Sequence, residues 1–129
     1  MLVAGALGLS AGCRHRKQAR PAPESPDVAL RKAALDRELA LLAAYDAVIG
    51  KVPALAPRLR PLADDKALHV AALGKGTPPV STVATVTQLR ALEREAAGAH
   101  GAAAVSASRA LAPLLASLAA SSSSAVAVL

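Results

Sequence analysis

From residue 27 onward, apolar and polar positions recur with a helical period. Taken at about 100° per residue, Leu35, Leu39, Leu42, Tyr45 and Ile49 fall within one arc, which predicts a helix from about Asp27 to Ile49. Ser25-Pro26-Asp27 supplies its start, with a side chain able to cap free N–H groups and a proline tolerated in the first turn. Gly50 and Pro53 end it. Glu38 and Asp46 lie in the same arc as the leucines. A carboxylate among leucines is costly unless it is paired, hydrogen-bonded or bound to a metal, so Glu38 is the residue this helix has to account for.

A second helical region begins after Pro53, is interrupted near Pro61 and continues through Leu73 to Gly74. Its expected apolar face carries Leu62, Leu68, Ala72 and Leu73 together with Asp65 and His69, which are four apart and so helical neighbours. GKGTPP, residues 74 to 79, reads as a loop. A third helix is expected from about Ser81 to Ser106. The β-branched run VSTVATVT at its start has strand propensity but no partner strand. Leu89, Leu92, Ala96 and Ala103 form a narrow apolar face there, with Glu93 and His100 on its border, solvated or bonded to each other. Gly98 and Gly101 each weaken this helix by about 1 kcal/mol unless another helix packs closely against them. A fourth helix is expected from about Arg109 to Val128, with Pro113 in its first turn and a serine-rich second half prone to fray.

The apolar fraction is 53%, and it consists mostly of Ala, Leu and Val, with Tyr45 the only aromatic. That composition favours helices over strands. At 129 residues the chain has room for one domain, and four helices with short connections give an all-α, antiparallel four-helix bundle as the expected fold. The formal charge of +6 is unevenly placed. Arg14, Arg16, Lys17 and Arg20 lie in CRHRKQAR, whereas from residue 21 onward eleven basic residues face nine acidic ones. The body therefore lacks the basic stripe and stacking aromatics that nucleic-acid binding calls for, and no nucleic-acid partner is expected.

Residues 1 to 12, MLVAGALGLSAG, are apolar and end in small residues just before Cys13, the single cysteine. Twelve helical residues span only about 18 Å, short of a bilayer core of about 30 Å, so the run reads as a signal-peptide core. LSAGC resembles the lipobox of bacterial lipoproteins, and that resemblance implies cleavage after Gly12 and lipidation of Cys13. The pattern departs from the lipobox in having Leu9 four residues before the cysteine and no basic residue ahead of the apolar run. The ordinary alternative for Cys13 is a packed free thiol. With the lipid in place, Arg14, Arg16, Lys17 and Arg20 would sit against anionic headgroups. Residues 13 to 26 make a lipidated cysteine followed by a basic, proline-rich tether, and residues 27 to 129 the helical bundle.

Three stretches carry a wider resemblance: LLAAYDAVI, PALAPRLRPLADDKALHVAAL and LAPLLASLAAS. Together they resemble the ferritin-like domain of small lipoproteins of high-GC Gram-positive bacteria, over roughly residues 27 to 122. Ferritin-like bundles hold two metals with a Glu from each of two helices and Glu-x-x-His from each of the other two. The resemblance implies Glu38, His69 and Glu93 as ligand positions. In DDKALH, Lys66 replaces the Glu of the second helix, with Asp65 beside it, and the fourth helix has Ser121 to Ser124 where Glu and His would be. That leaves Glu38, Asp65, His69 and Glu93 as a degenerate metal set. Lys66 is expected to carry its ammonium to the surface. The ordinary alternative pairs Glu38 with His69 or a basic residue of the second helix.

No nucleophile–base ordering, phosphate-cradling glycine loop or CxxC pair is present. The expectation is a lipid-anchored, non-catalytic bundle on the extracytoplasmic face of the cell membrane. Its partners would be the membrane through the anchor and a protein partner or a second copy, with no cofactor. The second reading is a metal-binding or redox protein holding iron or another divalent metal on the reduced ligand set. A basic protein on the cytoplasmic leaflet follows only if Cys13 is unprocessed.

Overall fold

A computed structural model describes residues 22 to 129. The signal-like run, Cys13 and the basic residues Arg14, Arg16, Lys17 and Arg20 lie outside the described residues. The described chain is all-α: α1 spans Pro26–Lys51, α2 Ala56–Leu73, α3 Val86–Ser106 and α4 Ala112–Val128, with a 3₁₀ turn at Pro53–Leu55. The expected four helices pack as one bundle. None of the described helices is long and apolar enough to cross a membrane.

Each helix buries a stripe that alternates steps of four and three. It is Ala34, Glu38, Leu41, Tyr45 and Val48 on α1, and Leu59, Ala63, Lys66 and Leu73 on α2. On α3 it is Leu89, Glu93, Ala96 and His100, and on α4 Leu115, Leu118, Ser122 and Ala125. This is the seven-residue spacing that keeps one seam facing a partner helix. Two apolar clusters lie at opposite ends. One joins Tyr45, Val48, Leu59, Leu89 and Leu129, the other Ala34, Leu73, Leu111, Leu115 and Leu118. The polar members of the four stripes fall between them.

The membership of these clusters fixes the direction of every helix. The end of α1 meets the starts of α2 and α3 and the end of α4; the start of α1 meets the end of α2 and the start of α4. α1 and α2 thus form one antiparallel hairpin and α3 and α4 another, while α2 and α3 run the same way. Short connections alone do not build this arrangement. Residues 74 to 85 must travel the length of α2, 18 residues or about 27 Å, and a dozen extended residues can reach about 40 Å.

That crossover explains why α3 starts at Val86 rather than the expected Ser81. Pro78 and Pro79 lack N–H donors and favour extended backbone, and the β-branched residues after them continue it. Helix begins only where Thr85 caps it, its hydroxyl accepting from the Gln88 N–H at 3.2 Å while the Gln88 carboxamide accepts from the Ala84 N–H at 2.8 Å. Gly74 turns out of α2 at φ 152°, a region open essentially to glycine. Gly76 then crosses Leu39 so closely that a Cβ would fall 2.5 Å from Leu39 Cδ1.

Three other expectations change. Pro61 lies inside α2 without ending it, although it removes one donor from the ladder. α4 starts at Ala112, with Pro113 in its first turn as expected, and remains helical through its serines to Val128. There the Ser123 and Ser124 hydroxyls donate back to the carbonyls of Ala119 and Ala120. A methyl group added at Gly98 or Gly101 would meet no neighbouring atom within 4 Å, so no close packing uses these glycines.

Candidate functional site: a buried polar layer

At mid-height the four stripes place Glu38, Lys66, Glu93, His100 and Ser122 in the interior, all essentially without solvent exposure. His69 flanks them from α2 with its side chain 17% exposed. Two linked constellations result.

In the first, Lys66 Nζ donates to Glu93 Oε2 at 2.9 Å and to Ser122 Oγ at 3.1 Å, and lies 4.0 Å from Glu38 Oε2. Glu93 Oε1 accepts from the Tyr45 hydroxyl at 2.7 Å. Both oxygens of a fully buried carboxylate are therefore satisfied, one by an ammonium and one by a phenol. Burial pushes the Tyr45 hydroxyl well above its ordinary pKa, and the adjacent Glu93 charge pushes the same way. Tyr45 therefore remains a donor throughout the working pH range.

In the second, Glu38 accepts from two imidazoles. Its Oε2 lies 2.8 Å from His69 Nδ1 and its Oε1 2.8 Å from His100 Nε2. Burial acts to raise the Glu38 pKa, but the bonds from His100 and His69 and the nearby Lys66 charge outweigh it and hold the carboxyl at about 2. An ionised carboxylate only accepts, so each ring carries its proton on the nitrogen facing Glu38. His69 Nε2 is left on the solvent side. His100 Nδ1 is buried without a partner, alone in this among the described side chains.

The structure thus brings together Glu38, His69 and Glu93 of the expected residues. Asp65 does not join them: it is exposed, because the buried stripe of α2 runs through Ala63 and Lys66. For the same reason Leu68, expected in the core, is 68% exposed. Lys66 does not carry its ammonium to the surface but buries it against Glu93. Glu93 and His100 are neither solvated nor bonded to each other; they sit at the centre of the α3 stripe and serve different partners. Asp46, placed with the leucines by the arc, is exposed and meets Arg60 Nη1 at 3.2 Å.

Lys66 and Ser122 are the buried positions that periodicity by arc did not find, and it put His100 only at the border of its face. The signal that finds them is the seven-residue spacing with polar residues admitted to the stripe.

The donor set does not fit a pair of divalent metals. Among the described residues no group of three or more His, Cys, Asp or Glu side chains is arranged to hold a metal ion. Lys66 places a fixed positive charge against both carboxylates, α4 contributes only the Ser122 hydroxyl, and both imidazoles spend a nitrogen on Glu38. What the layer can do chemically is balance charge within a buried interior through its own side chains. No family model, curated protein or solved structure matches the chain.

Proposed function

We propose that this chain is a membrane-tethered lipoprotein with a ferritin-like bundle, acting as a non-catalytic structural or partner-binding module of the cell envelope. Residues 1 to 12 direct export, Cys13 carries the lipid, and the basic, proline-rich segment to residue 26 spaces the bundle from the headgroups. The ferritin-like reading draws support from the topology, since one long crossover in a four-helix bundle is the connectivity ferritin-like folds use.

The observation that carries the non-catalytic part is Lys66. Its ammonium stands against Glu93 and near Glu38, where a bundle of this type would otherwise place a divalent cation between its carboxylates. A lysine cannot cycle redox state or bind oxygen, and its charge repels a metal approaching the same carboxylates. The polar layer then serves to fix how the two hairpins meet, as buried polar residues fix register in other helical assemblies.

A reduced metal site on Glu38, His69 and Glu93 is the competing function, favoured by the two imidazoles that converge on Glu38. Zinc and ferrous-iron titration of the purified full chain separates the two. The proposal expects no stoichiometric binding. Stoichiometric binding that Glu38→Ala and His69→Ala both abolish would establish the metal reading. The anchor is tested separately by radiolabelled palmitate incorporation, which Cys13→Ser should abolish; incorporation that persists in Cys13→Ser rejects it.

A further inference from the structure

His100, whose Nδ1 is buried without a partner, lines a groove between α1 and α3. Leu30, Ala34, Ala99 and Ala103 form its apolar wall, Arg37 and His100 also line it, and its volume is about 340 Å³. That is the small end of the range for ligand pockets, roughly 300 to 1,000 Å³. The groove exists because the wall residues of α3 are alanines, which leave space between the two helices that larger side chains would close.

A buried nitrogen without a partner is costly, and a polar group that entered the groove and met it would offset that cost. His100 Nε2 is committed to Glu38 at 2.8 Å, so Nδ1 is either a bare acceptor or, in the imidazolium, an undelivered donor. A carboxyl group satisfies both cases. As the acid it donates O–H to the bare nitrogen, and as the carboxylate it accepts from the imidazolium N–H. Arg37, which lines the same groove and donates from Nη1 to the Ala33 carbonyl at 3.4 Å, complements its charge and keeps its other N–H groups for a carboxylate. A second groove shares Ala33 and Arg37 with this one but is lined also by Asp36 and Glu95, whose charges disfavour an anion there.

We propose that the α1–α3 groove binds a medium-chain monocarboxylate, its carboxyl group between His100 Nδ1 and Arg37 and its aliphatic body along the alanine wall. The proposal stands apart from the function argued above, since neither the anchor nor Lys66 enters it.

Titration of the ¹⁵N-labelled full chain with octanoate, followed through the imidazole nitrogens, tests it. The expected result is a saturable shift of His100 Nδ1, weakened about tenfold by Arg37→Ala and lost in Ala99→Leu, which fills the groove. Octanol, with no charge for Arg37, should bind more weakly than octanoate. No saturable shift at His100 Nδ1, as for a groove that holds water only, overturns the proposal. So does octanoate binding that both variants leave unchanged, or octanol binding as tightly as octanoate.

Discussion

Lys66 shows how far a single side chain can redirect a helix. Judged by charge it belongs on the surface, and assigning it there turns the buried face of α2 toward Leu68 and Asp65, both of which are exposed. Admitted to the interior, it completes the spacing from Leu59 through Ala63 to Leu73. Removing one partner of a buried ion pair leaves the other uncompensated and costs about 3 to 5 kcal/mol. Lys66→Met is therefore expected to destabilise the bundle on that scale in urea unfolding, by stranding Glu93. Glu38 makes a different prediction. Its folded pKa of about 2 lies below the ordinary value of 4.5, so the unfolded chain binds its proton more readily than the native one. Its contribution is fully present above pH 4.5 and is lost as pH falls toward 2. Stability followed across that window should fall more steeply in the native sequence than in Glu38→Gln, which has no carboxyl to protonate.

At the scale of the element, helix existence was legible from apolar spacing, and the ends were legible where a cap was recognised. α1 begins at Ser25-Pro26 as its sequence implies. α3 does not begin at Ser81, because Thr85 and Gln88 form the cap and the β-branched run before them belongs to an extended crossing. Thr-x-x-Gln ahead of an apolar run was a readable sign of this. What could not be read locally is why the chain stays extended there, since that follows from α2 and α3 running the same way. Losing the Thr85 cap in Thr85→Ala should cost about 1 kcal/mol. Two glycines separate crossing from helix. Gly98→Ala meets no neighbour and should stabilise by about 0.5 to 1 kcal/mol. Gly76→Ala must displace Leu39 and should destabilise by about 1 kcal/mol, the low end of overpacking, because only the tip of the leucine has to move. Thermal melts of the two variants are expected to shift in opposite directions.

Over the whole molecule, the bundle consists of two hairpins with an apolar cluster at each end and a charged layer between them. Composition was enough to predict helices. The site was only partly legible. Glu38 and His69 stood out because each is polar on an apolar face, and they do meet. Glu93 was visible at the border of its helix's apolar face, but its true partners, Lys66 and Tyr45, come from helices whose mutual orientation no single helix encodes. The fourth helix carries no carboxylate or imidazole, yet its Ser122 is the acceptor that holds the other side of the ammonium. In an interior built largely of alanine and leucine, this layer supplies the directional contacts that a slipped pairing of the hairpins would break.

The most direct test is a double-mutant cycle between Lys66→Met and Glu93→Gln, read by equilibrium urea unfolding. If the ammonium is the internal cation of the layer, the double variant should recover much of the stability lost in Lys66→Met, with a coupling of at least about 1.5 kcal/mol. A coupling near zero would mean that the two side chains do not depend on each other, and would contradict the account of the layer as a self-neutralised interior.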